Sequence, residues 1–297
     1  MESGNVQTKR EIEELLSSLE LRPRKRFGQH FLIDGNLMRK LVASAEPNRG
    51  DLLLEVGAGT GGLTDLLVAS GARVICVEID RDLCQLLSRR FASAPHFTLI
   101  AGDVLESKHR LQAEVARLIV EHRSDGEGCV KLVANLPYNV ASPLVIDLLV
   151  DFPQVRRFCF TVQAEVANRI TSAAGSKAFG PLSIIAQALC RIETVARIPP
   201  QAFWPAPKVD SVMLRMDVGD SPLPEQSAVR EFASLLGETF RHRRKKLRSA
   251  LRYVLDRDTV DGLEGLLDLN RRPESLTIDE WLKLREKVAG FSLDSPS

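Results

Sequence analysis

Residues 51–64 read DLLLEVGAGTGGLT, an apolar run that ends in a cluster of glycines. The apolar run has the length and composition of a buried strand, and the residues after the glycines have the pattern of a helix. Gly57, Gly59 and Gly62 fit the spacing G-x-G-x-x-G between a strand and a helix. Glycines in such a loop let the backbone approach a ligand closely. This stretch therefore predicts a nucleotide-binding strand–loop–helix unit.

Acidic residues lie at the ends of successive predicted strands around this loop. Glu55 comes just before the glycines, Glu78 ends the second strand 21 residues after Gly57, and Asp103 follows the third strand. These carboxylates can accept from a cofactor's amino group, from ribose hydroxyls and from an adenine amino group, respectively. A pyrophosphate would be poorly served by so many carboxylates. The pattern therefore favours S-adenosylmethionine, although the glycine spacing alone fits a nicotinamide dehydrogenase equally well.

Strands and helices alternate from about residue 50 to 163, which predicts a mostly parallel sheet with helices on both faces. The expected fold class is α/β, a Rossmann-like methyltransferase domain with a smaller C-terminal helical domain. Ser142 is expected to cap a helix that has Pro143 at its first position, and Gly71 to end an earlier helix. The polar linker DVGDSPLPEQS precedes a helical pattern. The expected parts are an extension (1–21), a Rossmann-like domain (22–217) and a helical RNA-binding domain (226–290).

Basic residues are concentrated in two runs, although the net charge of the 297-residue chain is only +1. RPRKR occupies 22–26, and RHRRKKLRSALR at 241–252 holds seven Lys/Arg and no acid. Such one-sided runs favour contact with an RNA backbone over a solvated, salt-bridged helix face. The expected RNA-binding residues are Arg24, Lys25, Arg26, Arg241, Arg243, Arg244, Lys245, Lys246 and Arg248.

The cysteines and the N-terminus indicate the compartment. The five cysteines lack CxxC spacing, so we expect buried free thiols and no metal site. The first twenty residues lack the apolar core of a signal peptide, and no apolar run approaches the ~20 residues that span a bilayer. The sequence therefore predicts a cytoplasmic protein without a membrane partner.

Residues 131–143, KLVANLPYNVASP, leave the fourth strand at the edge of the sheet where the glycine loop also lies. The side-chain oxygen of Asn135 and a backbone carbonyl near Leu136 or Pro137 could accept both N–H bonds of an adenine N6. Tyr138 would offer a stacking face for the base. Behind the glycine loop, this turn predicts methylation of an adenine, mainly by orientation of the two reactants. Standing alone, it would be read as a strand exit with a core tyrosine.

Six segments together resemble the ribosomal RNA adenine dimethyltransferases, and among them the bacterial enzymes that act on the small subunit. They are, in order, RFGQHFL, EVGAGTGGLT, VEID, GDV, NLPYNVASP and AFWPAPKVDSVMLR, within about residues 22–285. The resemblance implies S-adenosylmethionine-dependent N6-dimethylation of two adjacent adenosines near the 3′ end of 16S rRNA. It also implies a monomer that acts on pre-30S particles during subunit maturation.

The same resemblance assigns residues to two sites. The implied cofactor residues are His30, Leu32, Gly57, Gly59, Glu78, Asp103, Val104 and Asn135, in addition to Glu55. The implied target pocket consists of Asn135, Leu136, Pro137 and Tyr138, with Phe203 as a second aromatic wall opposite Tyr138.

Three alternatives remain open from the sequence. A 23S rRNA adenine methyltransferase of the macrolide-resistance type is disfavoured by NLPYN together with PKVDS. A non-catalytic assembly factor that keeps the fold as a scaffold is disfavoured because Glu78, Asp103 and Asn135 are all present. A nicotinamide dehydrogenase is disfavoured because this sequence has no obvious residue for proton transfer.

Overall fold

The computed structural model describes residues 7–107, 110–122, 128–220, 222–223 and 225–289, without the side chain of Lys25. The chain forms two compact units. The first comprises the described residues up to Leu148 together with Phe152–Ala167 and Ile192–Val218. The second comprises Leu149–Asp151, Asn168–Arg191 and the described residues from Gly219 onward.

A seven-stranded sheet forms the centre of the first unit. The strands are β1 Phe31–Leu32, β2 Leu52–Val56, β3 Arg73–Glu78, β4 Phe97–Ala101, β5 Leu105–Ser107, β6 Arg110–Leu111, β7 Val130–Asn135, β8 Val155–Gln163, β9 Cys190–Ile198, β10 Phe203–Trp204 and β11 Ser211–Val218. The sheet order is β4-β3-β2-β7-β8-β11-β9, and β1–β10 and β5–β6 form separate pairs. From β4 to β8 all neighbours are parallel, whereas β11 is antiparallel to β8.

Helices connect these strands and build the second unit. They are α1 Lys9–Ser18, α2 Gly35–Ala45, α3 Gly62–Ala69, α4 Arg81–Arg90, α5 Ala113–Glu121, α6 Ala141–Asp151, α7 Ala164–Thr171, α8 Pro181–Leu189, α9 Gln226–Arg241, α10 Leu247–Leu251, α11 Arg257–Asp261 and α12 Ile278–Val288. In the described part of the chain, no helix combines the length and apolar character needed to cross a membrane.

The boundary between the two units differs from the one expected at residues 217–226. Residues 168–191 belong to the second unit, because α8 packs against α9 and α12. Most of α8 is buried, and its start at Gly180 lies against the ring of Phe240 in α9. Helices that bury their apolar faces against one another share one hydrophobic core, even when they are far apart in the sequence.

The ends of two helices test the expected capping. Gly71 follows α3 with φ +78° and donates to the Val68 carbonyl, which confirms its role in ending the helix. Helix α6 begins at Ala141 with Val140 as N-cap, so the prediction for Ser142 is wrong. The turn after Pro137 runs directly into the helix, since the Val140 N–H donates to the Pro137 carbonyl at 3.2 Å. Pro143 is then the third helical residue, where its missing N–H needs no partner within the helix.

The order of the sheet determines where a ligand can bind. Strand β2 lies between β3 and β7, and its residues are all buried, as is usual for a parallel strand covered on both faces. The chain order reverses between β2 and β7, which is the switch point of a doubly wound sheet. The carboxyl ends of β2, β3, β4 and β7 meet at one edge there, and the loops that follow these strands form the candidate site.

Candidate active site

Gly57 and Gly59 form a cradle at the end of β2. Both have positive φ angles, +77° and +61°, which favour glycine. A Cβ on Gly57 would lie 2.8 Å from the Cγ of Pro137, and one on Gly59 would lie 2.9 Å from the Cε1 of Phe31. These two glycines therefore let the NLPY turn and the segment before α2 approach the loop. The third positive-φ glycine is Gly61, rather than the Gly62 of the expected spacing.

Glu78 is a buried carboxylate at the end of β3. It accepts from the N–H of Gly59 at 2.8 Å and from the N–H of Asp80 at 2.9 Å. Burial raises its pKa above the ordinary value. Asp103, after β4, accepts from the Leu105 N–H at 3.0 Å and is exposed, while Val104 beside it is buried. Three of the expected cofactor residues, Glu78, Asp103 and Val104, line one pocket.

Glu55 lines the same pocket and is also held by the protein's own donors. One of its oxygens accepts from the Thr64 hydroxyl at 2.7 Å and from the Cys76 thiol at 3.0 Å. The side chain is 2% exposed, and this burial raises the pKa of the carboxyl to about 7. Glu55 is therefore a carboxyl that changes its charge near neutral pH, deep in the wall of the pocket.

Asn135 ends β7, and its amide is fixed from both sides. Its Nδ2 donates to the His30 carbonyl at 2.9 Å, and its Oδ1 accepts from the Thr161 hydroxyl. Because the carbonyl can only accept, these partners set which end of the amide is the oxygen. Thr161 is wholly buried on β8, where it is the register partner of Asn135. No local pattern predicts a role for Thr161, because only the pairing of β7 with β8 brings it next to Asn135.

Tyr138 is held with its ring against His30. The ring centroids are 5.5 Å apart with an interplanar angle of 26°, and the tyrosine hydroxyl lies 2.9 Å from the Oγ of Ser211. The Nδ1 of His30 lies 2.6 Å from the Pro205 carbonyl, so that nitrogen carries the proton. Burial raises the pKa of Tyr138. The expected pocket residues Leu136, Pro137 and Tyr138 line the cofactor pocket together.

The placement of Phe203 opposite Tyr138 is a correction to the expected pocket. Phe203 pairs with Leu32 in the β1–β10 ladder and is 3% exposed, within the apolar core. Successive residues of a strand point to opposite faces, so the next residue, Trp204, points the other way. Trp204 stacks on Phe31 and lines a groove of about 1280 Å³ together with Tyr138. The aromatic side chain that shares the groove with Tyr138 is therefore Trp204.

The basic run at 22–26 is partly neutralised in the structure. The guanidinium of Arg24 pairs with Asp80 at 2.7 Å and with Asp82 at 2.6 Å, and Gln29 donates to the same Asp80. These contacts tie the segment before β1 to the start of α4. Arg26 is exposed and lies 4.5 Å from the centroid of its neighbour's ring, whereas the side chain of Lys25 lies outside the described part.

The basic run at 241–252 also has acidic partners, which come from elsewhere in the second unit. Arg248 pairs with Asp261 and Glu264, and Arg241 pairs with Glu238. Arg252 also pairs with Asp261, at 3.3 Å, so three arginines of the run have carboxylate partners among the described residues. Among the described residues, the members of the run without an ion pair to a carboxylate are Arg243, Arg244, Lys245 and Lys246.

The donor set of the cofactor pocket discriminates between cofactors. Its charged residues are the carboxylates Glu55, Glu78 and Asp103, and the described residues that line it include no Lys or Arg. A diphosphate would meet carboxylates and no Lys or Arg among these residues, whereas a sulfonium cofactor with ribose and adenine meets acceptors. The pocket lies at the switch point of the sheet, where ligands of doubly wound folds bind. Fold and site together define a class I S-adenosylmethionine-dependent methyltransferase.

Comparison with known proteins specifies the family. Residues 20–289 match the model of the family described as ribosomal RNA adenine dimethylase. The chain belongs to this family, and it is an S-adenosylmethionine-dependent enzyme that dimethylates adenine in ribosomal RNA. It is 40% identical over 275 residues to ribosomal RNA small subunit methyltransferase A of Thermosynechococcus vestitus, covering 90% of this chain and 97% of the relative. It is 34% identical to the protein of that name from Hahella chejuensis, covering 92% and 96%.

Solved structures agree on the fold. A dimethyladenosine transferase from Plasmodium falciparum superimposes with a TM-score of 0.70 at 23% identity, over 87% of this chain and 97% of that one. The 23S rRNA methyltransferase ErmE gives a TM-score of 0.61 at 23% identity, over 86% and 98%. At this level of identity both comparisons support the architecture.

Proposed function

We propose that this enzyme adds two methyl groups to the N6 of each of two adjacent adenosines near the 3′ end of 16S rRNA. Its substrate in this proposal is the RNA of an assembling small subunit, on which it acts as a cytoplasmic monomer with a role in subunit maturation. Relatives of 34% and 40% identity that carry the name of a small-subunit methyltransferase support this choice of RNA. The observation that carries the chemistry is the fixed amide of Asn135 at the end of β7.

Asn135 would bind the amino group of the target adenine. Its Oδ1 has two lone pairs, and the hydroxyl of Thr161 occupies one of them. The second can accept one N–H of N6. The Pro137 carbonyl accepts from the Val140 N–H and keeps one lone pair, so the acceptor that we assign to the other N–H is the backbone carbonyl of Leu136 or Pro137. Two acceptors would favour a pyramidal nitrogen whose lone pair is free for attack.

The pocket at the carboxyl ends of β2, β3 and β4 would hold the cofactor. Glu78 and Asp103 would accept from the ribose and the adenine, and Gly57 and Gly59 line the pocket beside them. His30 and Leu32 line the same pocket. When bound, the cofactor supplies an electrophilic methyl group on a sulfonium sulfur. The protein contributes mainly by aligning the amino group of the base with that methyl group.

Tyr138 and Trp204 would receive the base from the groove. Base–aromatic stacking contributes about 1–3 kcal/mol per base. The ring of Tyr138 is fixed by His30 on one side and by Ser211 at its hydroxyl, so it is a preformed platform. The target adenosine must leave its stack to reach it. Exposed cations of the same groove, Arg22 and Lys208, lie where the RNA backbone would enter.

The second unit would supply affinity for the RNA backbone. Arg243, Arg244, Lys245 and Lys246 are the cations that we assign to phosphate contacts, because their charges are not paired with carboxylates among the described residues. Phosphate contacts provide affinity and orientation but no sequence choice. We attribute the choice of site to the shape of the immature subunit and its splayed bases.

The test is methylation with labelled S-adenosylmethionine of 30S and 50S particles that lack the modification, followed by mapping of the modified bases. We expect dimethyladenosine pairs in 16S RNA only. Asn135→Ala should lower the rate by about a hundredfold, similar to the loss of one oriented polar group in other active sites. Asn168→Ala, which removes an exposed amide of the second unit, is the matched control. Label in 23S RNA would refute the proposed substrate, and full activity of Asn135→Ala would refute the proposed chemistry.

A further inference from the structure

Gln7 reaches the glycine loop from the N-terminal segment. Its Oε1 accepts from the Thr60 hydroxyl at 2.7 Å, although the two residues are 53 positions apart. Gln7 is 9% exposed and lines the cofactor pocket. A Cβ on Gly62 would lie 3.2 Å from the same Oε1, so the side chain lies directly against the start of α3. Gln7 is therefore part of the pocket wall.

Helix α1 fixes the backbone that carries Gln7. The helix begins immediately after it, with a capping box in which the Thr8 hydroxyl accepts from the Glu11 N–H and the Glu11 carboxylate accepts from the Thr8 N–H. Ile12 and Leu16 are buried against the residues of β1 and α4. A residue anchored in this way loses little further freedom when it binds a ligand.

The position of Gln7 relates it to one end of the cofactor. Glu78 and Asp103, at the ends of β3 and β4, would take the ribose and the adenine. Gln7 and Thr60 lie instead at the start of α3, beyond the end of β2. In the proposed placement, the amino acid of the cofactor would lie at this end, beside Glu55, and it carries an α-carboxylate as well as an amino group.

The chemistry of the pocket makes an amide useful at this end. The charged residues of the described lining are carboxylates, which would repel the α-carboxylate of the cofactor. The Thr60 hydroxyl donates to the amide oxygen of Gln7, so the amide nitrogen is set to donate in another direction. Hydrogen bonds to a charged acceptor are stronger than those between neutral groups.

We propose that Gln7 binds the α-carboxylate of the cofactor through its amide nitrogen, and that Thr60 holds the amide in the donating orientation. This proposal rests on the proposed placement of the cofactor. It gives the N-terminal segment a role in distinguishing the complete cofactor from adenosine fragments that lack the amino acid.

Titration calorimetry of the full chain with two ligands tests the proposal. S-adenosylhomocysteine carries the amino acid, and 5′-methylthioadenosine lacks it. Gln7→Leu keeps most of the volume of the side chain and removes both the amide donor and the oxygen that accepts from Thr60. We expect the affinity for S-adenosylhomocysteine to fall about tenfold, as for the loss of one hydrogen bond to a charged group. The affinity for methylthioadenosine should change by less than about twofold. Thr60→Val should also lower the affinity for S-adenosylhomocysteine and not that for methylthioadenosine, but by a smaller factor than Gln7→Leu.

The matched control is Glu14→Gln, which removes an exposed carboxylate from the same helix and should change neither affinity. Unchanged S-adenosylhomocysteine affinity in Gln7→Leu would overturn the proposal. Equal weakening of both ligands would also overturn it, because it would show that Gln7 only supports the loop. Binding of methylthioadenosine reports that the adenosine end is folded in each variant. Asp103→Asn in the otherwise wild-type chain tests the placement of the cofactor separately. It should lower the affinity for both ligands, because both contain the adenine.

Discussion

Replacing Glu55 by glutamine should remove the contribution of this carboxyl to the pH dependence of the free energy of unfolding. Burial raises the pKa of this carboxyl from 4.5 to about 7 in the folded chain. A carboxyl with a raised pKa binds its proton more tightly when the protein is folded. Its contribution to stability is therefore complete below pH 4.5 and is lost as the pH rises through about 7. The difference of about 2.5 between the two pKa values corresponds to about 3 kcal/mol.

The structure makes glutamine a close replacement at this position. The Glu55 oxygen that accepts from Thr64 and Cys76 can be replaced by the amide oxygen, which accepts from both donors without ionising. We expect the free energy of unfolding of the wild-type protein to fall by about 3 kcal/mol relative to Glu55→Gln between about pH 4 and pH 8. The comparison of the two proteins cancels the other titrating groups, because both contain them.

Urea unfolding at a series of pH values measures this difference. Glu193→Gln, which removes an exposed carboxylate from β9, should give a curve parallel to that of the wild-type protein. Parallel curves for the wild-type protein and Glu55→Gln would refute the reasoning, since they would show that folding does not raise the pKa of Glu55. An opposite divergence, with the wild-type protein gaining stability at high pH, would show that the ionised form is the one stabilised by the site.

Four further predictions concern the candidate site, one glycine of α9 and the proposed RNA surface. Thr161→Val keeps the shape of the side chain but removes the hydroxyl that donates to the Asn135 amide oxygen. Single-turnover methylation should therefore slow about tenfold while S-adenosylhomocysteine affinity is unchanged; equal loss in both measurements would contradict this. Gly57→Ala should destabilise the protein by about 1–3 kcal/mol in urea unfolding because of its positive φ and the contact at 2.8 Å. Gly237→Ala, in open space within α9, should instead stabilise it by about 0.5–1 kcal/mol. Arg244→Gln should lower the slope of log K against log salt for RNA binding by about 0.7–0.9, and Arg248→Gln, already paired with carboxylates, by less.

Local patterns were sufficient to predict the elements that build the cofactor pocket. The apolar run of β2, the glycines after it and the acids at the ends of β3 and β4 are each encoded within a few residues. The carboxyl ends of parallel strands must meet at one edge, so the sequence order alone places Glu78, Asp103 and Asn135 near the glycine loop. The structure brings these three residues to one pocket.

The residues that the sequence did not reveal act through distant partners. Thr161 contacts Asn135 from 26 positions away, Ser211 contacts Tyr138 from 73, and Gln7 contacts the glycine loop from 53. The acids that neutralise Arg248 likewise come from a later part of the chain. No periodicity or motif reports such pairs, because each depends on how strands and helices are placed in three dimensions.

The strand register explains why the target pocket contains its buried hydroxyls. Asn135 is opposite Thr161 in the β7–β8 pair, and Ser211 is opposite Gln163 in the β8–β11 pair. Residues opposite one another point to the same face, as do residues two apart, so Asn135, Thr161 and Ser211 share one face of the sheet. Buried hydroxyls are costly without hydrogen bonds. Here they pair with Asn135 and Tyr138, the two side chains that would hold the adenine. The backbone ladder that stabilises the sheet therefore also aligns the target pocket, and a shift in register would disrupt both.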